Sequence, residues 1–401
     1  MPPVHDKVFE KVCLGGTFDT IHVGHEKLLN KALSVCTKVL TVGVTDESMI
    51  KKKLLWELII PLDDRIRHVT HFLEKQIQQN QGNAPRLDIV PISDPFGPAI
   101  TDASIEAIVV SDETIPGGNK INQIRREKGM KELELISVSL LPDTNKETSF
   151  EEDKVSSSSL RIRKLGTLLK EPLPREEIDA RIAEWFSSEK GSEVVVKKPY
   201  FIGLTGAIAA GKTNIGKDLE SLGAGLIDCD LFAHQVYKKG SEVYSNIVHE
   251  FGPDIVDQDT QEIVRRKLGQ IVFNDSSLKA KLEKIVWPAT NLLVKQEIEK
   301  LTGQDKKVIV LEAAQLIEAK WHEKLHQLWV SIIPPDVAVK RVMERNGLTE
   351  EEAMSRVSSQ MSNKERVSHA NVVLCSLWER EFTKLQVQKA WNLLQKRFLI
   401  K

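Results

Sequence analysis

The sequence predicts an α/β protein with two doubly wound, parallel-sheet domains. Short apolar runs alternate with helical patterns from about residue 8 to residue 140, and the same alternation starts again at Tyr200. In both segments the first apolar run ends in a glycine-containing turn that leads into a helical pattern. A chain of 401 residues is also too long for one ordinary hydrophobic core, which favours two or three domains.

Composition and charge narrow the class of protein. Hydrophobic residues make up 41% of the chain and charged residues 28%, as in ordinary globular proteins. Lys+Arg of 56 against Asp+Glu of 57 gives a net charge of −1, so no global field attracts nucleic acid and we expect no nucleic-acid partner. No apolar run approaches the roughly 20 residues of a spanning helix. The first residues, MPPVHDKVFEKV, resemble neither a signal nor a transit peptide. We therefore expect a cytosolic protein, and nothing in the sequence supports association with the mitochondrial surface.

The four cysteines, Cys13, Cys36, Cys229 and Cys375, lie far apart and include no CxxC pair. This spacing is typical of a reducing compartment and argues against a zinc knuckle or a disulfide framework. Cys13 lies in an apolar run and Cys229 lies between two aspartates, and we expect both to be packing residues.

The first alternation accounts for one complete sheet. Val8 to Leu14 is predicted as its first strand, and a helix with one apolar face follows from about Gly24 to Val35. The later elements are predicted as strand 39–44, helix 61–79, strand 87–92, helix 102–106, strand 107–111, helix 118–128 and strand 133–140. Ligands of such sheets gather at the carboxyl ends of the strands.

The domain boundaries follow from a change in composition. We expect a first domain over 1–170, a connection over 171–198 and a second domain over 199–401. The connection is polar and contains prolines, and its amphipathic stretch REEIDARIAEWF is predicted as one short helix. The second sheet is predicted from strand 200–206, a helix from Lys212 to about Ser221, and strands 225–230, 308–313 and 328–334.

A first phosphate motif, GGTFDTIHVGH, begins at Gly15 between the first strand and the first helix. Gly15 and Gly16 permit a tight turn whose N–H groups can approach a phosphate, and Thr17 adds a hydroxyl donor. His22 and His25 lie about one turn apart, so both imidazoles and the positive end of the helix can face the same phosphates. Attack on the α-phosphorus of ATP depends largely on such positioning and charge stabilisation.

A second segment strengthens this interpretation, because an isolated HxGH pair is more often a coincidence. The stretch VSSSSLR, residues 155–161, is a hydroxyl-rich helix start about 130 residues further on. Such a start is suited to the β- and γ-phosphates of ATP.

Residues 8–165 resemble the phosphopantetheine adenylyltransferase family of the eukaryotic and archaeal type. The resemblance lies in GGTFDTIHVGH, in GVTDESMIKKKLLWELIIPLDDRIR (43–67), and in DPFGP, VVSDETIPGG and VSSSSLR. It implies that His22 and His25 bind and stabilise the ATP phosphates, with Thr17 beside the incoming phosphate. It also implies a set of residues on the pyrophosphate portion: Ser157, Ser158 and Arg161.

The same resemblance implies a site for 4′-phosphopantetheine. One of Lys51, Lys52 and Lys53 is expected to meet its phosphate, and Arg65 is a further candidate. The alternative for the three lysines is a solvated run of charge.

A second phosphate motif fits the P-loop pattern GxxxxGK[ST] between strand 200–206 and the next helix. Its residues are Gly206, Ala207, Ile208, Ala209, Ala210, Gly211, Lys212 and Thr213. Backbone amides of such a loop cradle the ATP phosphates, Lys212 is expected to bridge the β- and γ-phosphates, and Thr213 is expected to hold Mg²⁺.

Other residues complete a kinase-like set. Asp228 and Asp230 lie at the end of the next predicted strand, where a carboxylate faces the cleft and can accept a proton from a substrate hydroxyl. Arg341, Arg345 and Arg356 are predicted to lie on a helical hairpin that closes as a lid over the transferring phosphate.

Residues 200–398 resemble the dephospho-coenzyme A kinase family. The matching stretches are IGLTGAIAAGKT, LGAGLIDCDLFAH, RRKLGQIVF, LEAAQLIEAKW and RVMERNGLTEEEAMSRVSSQMS. The resemblance implies that Asp230 is the base toward the ribose 3′-hydroxyl and that Asp228 orders substrate or metal. It also implies that Arg265 lies in the dephospho-coenzyme A pocket.

The chain departs from that family in three places. Its P-loop is rich in alanine, Glu312 stands where Asp is common, and Cys375-Ser376 replaces an Asn-containing stretch near the adenine site. Nearly the whole chain is nevertheless similar to the bifunctional coenzyme A synthase family. That similarity implies ATP with Mg²⁺, 4′-phosphopantetheine and dephospho-coenzyme A as ligands, and consecutive adenylyl and phosphoryl transfers.

Two other functions are compatible with these motifs. One is a nucleotidylyltransferase–kinase fusion that acts on another nucleotide-like substrate, against which the DPFGP stretch, the serine segment and the order of the two halves argue. The other is a nucleotide-binding scaffold with one inactive site, against which the presence of His22, His25, Lys212, Thr213 and Asp230 argues.

A zinc site is a third possibility that the context disfavours. Residues 322–326 read HEKLH and match the HExxH pattern. They lie between two predicted core strands, however, and no third ligand follows at metalloprotease spacing. We expect solvated helix residues here, and the same for His68 and His71.

Overall fold

The computed structural model describes residues 7–80, 84–186, 199–273 and 275–399. The chain divides between Arg163 and Lys164 into two compact units. Each unit contains one five-stranded sheet, and every strand pair recorded in the two sheets is parallel. This arrangement confirms the predicted fold class of two doubly wound α/β domains.

The first unit alternates strands and helices as predicted. Its strands are β1 (Phe9–Gly16), β2 (Cys36–Thr45), β3 (Arg86–Ile92), β4 (Ala107–Ser111) and β5 (Glu134–Val138). Its α-helices are α1 (Val23–Val35), α2 (Glu47–Ile50), α3 (Leu62–Asn80), α4 (Ile115–Glu127) and α5 (Ser157–Lys164). Single 3₁₀ turns lie at Trp56–Leu58, Gly97–Ile100 and Asp112–Thr114.

The order of the strands indicates where the first site lies. The sheet runs β3-β2-β1-β4-β5, so the chain fills one side of β1 and then crosses to fill the other. Alternate residues of β1 enter different layers of the core, with Val12 and Leu14 on one face and Cys13 on the other. Because β1 and β4 flank the change of direction, the crevice at the carboxyl end of β1 is the expected ligand site.

The second unit repeats the alternation with more helices. Its strands are β6 (Tyr200–Gly206), β7 (Gly225–Asp228), β8 (Val308–Glu312), β9 (Gln327–Ile332) and β10 (Val372–Cys375). The helices before β8 are α6 (Arg175–Phe186), α7 (Lys212–Ser221), α8 (Cys229–Gln235), α9 (Glu242–Phe251), α10 (Arg265–Phe273) and α11 (Ser276–Gly303). The later helices are α12 (Pro335–Asn346), α13 (Glu350–Ser358), α14 (Asn363–His369) and α15 (Arg380–Leu394).

The second sheet is buried on both faces. Every residue of β6, β8, β9 and β10 is buried, as expected for a parallel sheet that helices cover on both sides. The strand order is β10-β9-β6-β8-β7. The change of direction therefore lies at β6, and the P-loop follows directly from its carboxyl end.

Several elements differ from the sequence prediction. The predicted strand 225–230 ends at Asp228, because Asp228 caps α8, which begins at Cys229. The predicted helix 102–106 was wrong: Asp102 Oδ1 accepts a hydrogen bond from the Ser104 amide at 2.8 Å, and this Asx turn competes with helix formation. Strand β10 was not predicted, because an isolated run of four apolar residues has too little periodicity to indicate a strand.

The segment around the predicted domain boundary packs with the second unit. The amide of Gly166 donates to the carbonyl of Val373 at 2.9 Å, and that of Leu169 donates to Asn371 at 2.8 Å. The first residues of the predicted connection form α6, whose Ile178 and Ile182 are buried. Residues 187–198 of that connection lie outside the described residues. None of the described helices combines the length and the apolar character that a membrane span requires.

Candidate active sites

The two histidines of the first motif stack on each other at the start of α1. Their ring centroids are 3.8 Å apart. His22 caps the helix, and its Nδ1 accepts from the amides of Gly24 at 3.2 Å and His25 at 3.4 Å. The neutral His22 ring therefore carries its proton on Nε2. His25 Nδ1 lies 3.2 Å from the carbonyl of Thr20. A carbonyl can only accept, so Nδ1 donates and Nε2 is left for a ligand.

Both imidazoles favour the neutral form. Burial lowers the pKa of His25 to about 3, and the adjacent His22 adds to the shift. Burial also lowers the pKa of His22, and the Asp143 carboxylate opposes that shift. A polyanion beside the pair would act in the opposite direction, because nearby negative charge favours the protonated ring. The pair is suited to gain positive charge when phosphates bind.

The serine segment approaches these histidines. The carbonyl oxygen of Val155 lies 3.8 Å from the position that a Cβ on Gly24 would take. Ser157 and Ser158 form the first turn of α5, whose amides suit an anion. Ser159 is fully buried. The start of the serine segment thus lies beside Gly24 of the HxGH motif.

The Arg161 guanidinium has buried protein partners, and its contact with the pyrophosphate stays a prediction. Its side chain is buried, and Nη1 pairs with the fully buried Asp19 carboxylate at 2.8 Å. Nε donates to the carbonyl of Leu54 at 2.8 Å, and Nη2 lies 3.4 Å from Ser158 Oγ. Because Asp19 belongs to the first phosphate turn and Ser158 to α5, the ion pair ties the two phosphate-facing segments together. Arg161 therefore acts on the site by positioning.

Arg65 holds the phosphate turn through main-chain carbonyls, but its Nη2 is buried and has no hydrogen-bond partner among the described residues, so its contact with substrate stays a prediction. It is fully buried below the phosphate turn. Its Nη1 donates to the carbonyls of Thr17 at 2.8 Å and Thr45 at 2.7 Å, and its Nε donates to Ile60 at 3.0 Å. The Thr17 hydroxyl accepts from that of Thr45 at 3.1 Å. The sequence could not distinguish this buried arginine from a surface arginine. Its partners are main-chain carbonyls, which every residue type provides.

The three consecutive lysines are not equivalent. Lys51 and Lys52 are exposed where α2 ends. Although much of the Lys53 side chain is exposed as well, loss of hydration lowers its pKa, and the guanidinium groups of Arg161 and Arg65 lower it further. The charge of Lys53 therefore interacts with those of Arg161 and Arg65, and its contact with a substrate phosphate stays a prediction.

The P-loop forms the corresponding turn at the end of β6. Gly206 has φ 158°, and a Cβ there would lie 2.2 Å from the carbonyl oxygen of Ser331 on β9. Ala209 (φ 60°) and Gly211 (φ 80°) both adopt the left-handed conformation. This conformation costs an alanine about 1–2 kcal/mol. The alanine-rich loop therefore keeps a P-loop-like turn at the expense of one strained residue.

Polar groups of the P-loop have partners within the second unit. Lys212 Nζ donates to the carbonyls of Gly206 at 3.0 Å and Ala207 at 3.3 Å. The amide of Ile208 donates to Gln360 Oε1 at 2.8 Å. A phosphate bound to this loop would replace these partners of Lys212 and of the Ile208 amide.

Two carboxylates converge on the P-loop. Glu312 is buried at the end of β8, and its Oε1 accepts from Thr213 Oγ1 at 3.1 Å. Asp230 Oδ2 accepts from the amide of Ala314 at 3.1 Å. Burial raises the pKa of both carboxyl groups, and the charge of Lys212 opposes the shift. Sequence reasoning noted Glu312 only as a departure from the family, although its place at the end of a strand was a signal.

Asp228 has a local structural role. It is the N-cap of α8, and its Oδ1 accepts from the amide of Leu231 at 2.8 Å. This contact sets the start of the helix that carries Asp230. The charge of Asp228 also contributes to the raised pKa of Asp230.

A cavity of about 1130 Å³ adjoins the P-loop in the second unit. Arg265 and Arg356, both predicted as substrate or lid residues, line it. Arg345 is exposed on α12, and its Nε donates to Asn346 Oδ1 at 3.1 Å. The predicted α12–α13 hairpin is therefore present, with Arg356 on its cavity side.

Arg341 lies on α12 of the predicted hairpin, and its guanidinium contacts the P-loop. Its Nη1 donates to the carbonyl of Ala209 at 3.2 Å and to Ser376 Oγ at 3.0 Å, and its Nη2 donates to the Ser376 carbonyl at 2.6 Å. The guanidinium therefore holds the P-loop to the segment that follows β10. The sequence shows only that Arg341 lies one helical turn before Arg345, and this spacing does not indicate a contact with the P-loop.

The HExxH stretch does not form the solvated helix that the sequence predicted. Residues Trp321–Lys324 form a 3₁₀ turn. His326 is buried, accepts from the Phe201 amide at 2.9 Å and stacks on Tyr200 at 4.3 Å. It is a core histidine and not a solvated helix residue. Among the described residues, no cluster of three or more His, Cys, Asp or Glu could hold a metal ion.

Two family matches divide the chain in the same way as the two sheets. Residues 200–376 match the family described as dephospho-CoA kinase, and residues 13–164 match the cytidylyltransferase-like family. The protein is thus similar to a kinase in one half and to nucleotidyltransferases in the other.

Individual relatives match the second half. A dephospho-CoA kinase of Geobacillus kaustophilus is 38% identical over 198 residues, which cover 49% of this chain and 98% of the relative. A dephospho-CoA kinase of Symbiobacterium thermophilum is 34% identical over 191 residues, which cover 48% of this chain and 80% of the relative. A solved structure from Thermus thermophilus has 27% identity and a TM-score of 0.44, and the match covers 50% of this chain and 99% of that one.

Proposed function

We propose that this chain, which belongs through residues 200–376 to the dephospho-CoA kinase family, catalyses two consecutive transfers from ATP. The first moves an adenylyl group to 4′-phosphopantetheine, and the second phosphorylates the dephospho-coenzyme A that results. The observation that carries this proposal is that one chain holds two phosphate-binding turns, each at the change of strand direction in its own sheet. A kinase half joined to a cytidylyltransferase-like half fits a coenzyme A synthase-type transferase.

The first transfer requires positioned charge and no covalent intermediate. An oxygen of the substrate phosphate attacks the α-phosphorus of ATP, and a new phosphorus–oxygen bond forms. The bond from that phosphorus to the bridging oxygen breaks, and pyrophosphate leaves with the electron pair. His22 and His25 stabilise the growing charge, the first turn of α5 binds the leaving phosphates, and Lys53 binds the attacking phosphate.

The second transfer uses the carboxylate of Asp230 as a base. The ribose 3′-hydroxyl oxygen attacks the γ-phosphorus of ATP, its proton passes to Asp230, and ADP leaves with the electron pair of the broken bond. A raised pKa suits Asp230 to this step because a base must hold the proton it accepts. Lys212 neutralises charge that develops between the β- and γ-phosphates.

The kinase family also implies a divalent cation with ATP. The Thr213 hydroxyl and the Glu312 carboxylate are hard oxygen donors 3.1 Å apart, a donor set that fits Mg²⁺. These two residues would hold the ion beside the phosphates, where it neutralises negative charge.

The direct test supplies the full chain with ATP, Mg²⁺ and 4′-phosphopantetheine and identifies the products by mass. We expect dephospho-coenzyme A with pyrophosphate first, then coenzyme A with ADP. Absence of a product that contains the adenylyl group would refute the first transfer. If added dephospho-coenzyme A gains no phosphate, the second transfer is wrong. A parallel reaction with other nucleotide-like acceptors tests the alternative of a different substrate.

A further inference from the structure

A buried ion cluster in the first unit has no role in the transfer described above. Arg163, in the last turn of α5, donates from Nη2 to Asp143 Oδ2 at 2.7 Å and from Nε to Glu151 Oε2 at 2.5 Å. Both carboxylates are buried, and both belong to the loop between β5 and α5. Replacement of a buried ion cluster by well-packed apolar residues is often neutral or stabilising. A contribution to stability alone therefore does not account for this cluster.

Glu151 and Asp143 also bind main-chain amides of the loop. Glu151 Oε1 accepts from the amide and from the hydroxyl of Thr148, each at 3.1 Å. Asp143 Oδ1 accepts from the Asn145 amide at 2.9 Å. Each carboxylate thus fixes one part of the loop, and Arg163 joins the two parts to α5.

The four serines at the start of α5 divide into two pairs. The Ser159 amide donates to Ser156 Oγ at 3.2 Å, and the Ser156 hydroxyl donates to Ser159 Oγ at 3.1 Å. The Glu152 amide donates to the same Ser159 oxygen at 3.0 Å. Ser156 and Ser159 therefore fix the start of the helix from within the protein. Ser157 and Ser158 are half-buried, and they are the pair expected to meet a ligand.

These contacts connect Arg163 to the phosphate-facing end of its own helix. Arg163 fixes Glu151, and the next residue, Glu152, binds the buried Ser159. The serine segment itself begins beside Gly24 of the HxGH motif. A displacement of Glu151 would therefore move the first turn of α5 relative to that motif.

We propose that Arg163, Asp143 and Glu151 are positioning residues of the first site, which hold the first turn of α5 where the leaving pyrophosphate binds. This inference rests on the proposed function of the first half. The bond from the acceptor phosphate to the α-phosphorus forms, the bond to the bridging oxygen breaks, and pyrophosphate leaves with the electron pair. Ser157 and Ser158 meet the oxygens of that pyrophosphate. The three charged residues exchange no proton and act only through the helix start.

The test measures adenylyl transfer by the full chain in both directions. In the reverse direction dephospho-coenzyme A and pyrophosphate give ATP and 4′-phosphopantetheine, so KM for pyrophosphate reports on the start of α5. For Glu151→Gln, which keeps the size of the side chain, we expect this KM to rise about tenfold and the forward kcat to fall on the order of 10–10²-fold, because small misplacements are costly. KM for 4′-phosphopantetheine should change by less than about threefold, since that substrate does not bind at α5.

Three further variants serve as comparisons. Arg163→Met should show the same pattern as Glu151→Gln, and Arg163→Lys should recover part of the forward kcat because it keeps the charge. Arg126→Met removes an exposed arginine of α4 that pairs with Glu132 at 3.3 Å. This control should match the wild type in both directions.

The kinetic pattern separates positioning from a purely structural role. A lower melting temperature with wild-type kinetic constants would overturn the proposal, as would equal rises in KM for pyrophosphate and for 4′-phosphopantetheine. If Arg163→Met does not fold, the nearly isosteric Glu151→Gln and Asp143→Asn decide the question. If the wild-type chain transfers no adenylyl group in either direction, the proposed function fails first, and this outcome is distinct from the others.

Discussion

At the scale of single residues, burial determines the protonation state of His25. Its Nδ1 is held by the Thr20 carbonyl at 3.2 Å and its ring stacks on His22. Two adjacent imidazoles that are partly shielded from water cannot both be charged without a compensating anion, because like charges repel each other. His22 and His25, which are expected to bind phosphate, are therefore also expected to make the stability of the first unit depend on pH.

We predict that His25→Gln makes the first unit less sensitive to acid. The pKa of His25 is about 3 in the folded protein and near 6.5 in an unfolded chain, so the unfolded chain binds more protons between these values. Stability from neutral His25 is complete above about pH 6.5 and is lost as pH falls toward 3. The wild-type melting temperature should fall from pH 7.5 to pH 5 more steeply than that of His25→Gln.

The measurement is calorimetry of the unfolding transition that 4′-phosphopantetheine shifts. His68→Gln, which changes an exposed histidine of α3, serves as the matched control and should melt like the wild type at each pH. Equal slopes for wild type and His25→Gln would show that His25 is not the buried neutral group described here.

Ala209 provides a second prediction at the residue scale. Ala209→Gly relieves left-handed strain of about 1–2 kcal/mol, and the greater freedom of glycine in the unfolded chain offsets about 0.4–1 kcal/mol of that gain. We expect the second unit to be more stable by up to about 1.6 kcal/mol. Gly211→Ala, at φ 80°, should instead destabilise it by up to about 1.6 kcal/mol, because the reduced freedom of alanine in the unfolded chain offsets part of the strain. Opposite shifts of the ATP-dependent melting transition are the expected result, and shifts of the same sign would contradict the strain argument.

At the scale of elements, the ion pair of Asp19 and Arg161 joins the turn after β1 to α5. The amide of Ile60 also donates to Asp19 Oδ1 at 3.1 Å, so the carboxylate holds three separate segments. None of these segments is close to another in the chain. The geometry of the first crevice therefore depends on a buried contact and not on local propensity.

We predict that breaking this pair from one side is costly. Asp19→Asn or Arg161→Met should each destabilise the first unit by about 3–5 kcal/mol, because each leaves a buried charge without its partner. The double variant should lose less than the sum of the two single losses, since it leaves no uncompensated charge. Hydrogen exchange of the β1 and β2 amides, followed by mass spectrometry, localises the effect. Additive losses would mean that the two side chains act independently.

At the scale of the whole molecule, the two sets of predicted phosphate-binding residues belong to different sheets. His22 and His25 follow β1, and Lys212 and Asp230 follow β6 and β7. Each set has its own core. We therefore expect substitutions to separate the two activities.

We predict that Lys212→Ala lowers the kinase rate by a factor on the order of 10²–10⁴, because it removes a cation from the transferring phosphoryl group. Adenylyl transfer should continue, so that dephospho-coenzyme A accumulates. Asp230→Asn should give the same products with little change in ATP affinity, since it removes a base. His25→Ala should abolish product from 4′-phosphopantetheine and leave phosphorylation of added dephospho-coenzyme A intact. Loss of both activities in folded His25→Ala would refute the division into two sites.

The contacts of the candidate site residues were predictable only in part. The glycine turns, the helix starts and the histidine pair could be recognised, since they follow from short stretches with a fixed spacing. The positions of Arg65, Arg161 and Arg341 could not, because an arginine that binds phosphate and one that binds main-chain carbonyls have the same local sequence. The place of Glu312 beside Thr213 could be known only from the register of β8 beside β6. The burial of His326 could be known only from its stacking on Tyr200.

By itself the sequence determined the alternation of strands and helices, the two phosphate turns and therefore the class of reaction. These features depend on residue periodicity and on backbone freedom within about ten neighbouring positions. The tertiary structure decided which charged side chains are buried, what satisfies them, and that residues 165–169 pair with the second unit. Those outcomes depend on partners that are distant in the chain, because a buried charge is stabilised only by groups that the fold brings to it.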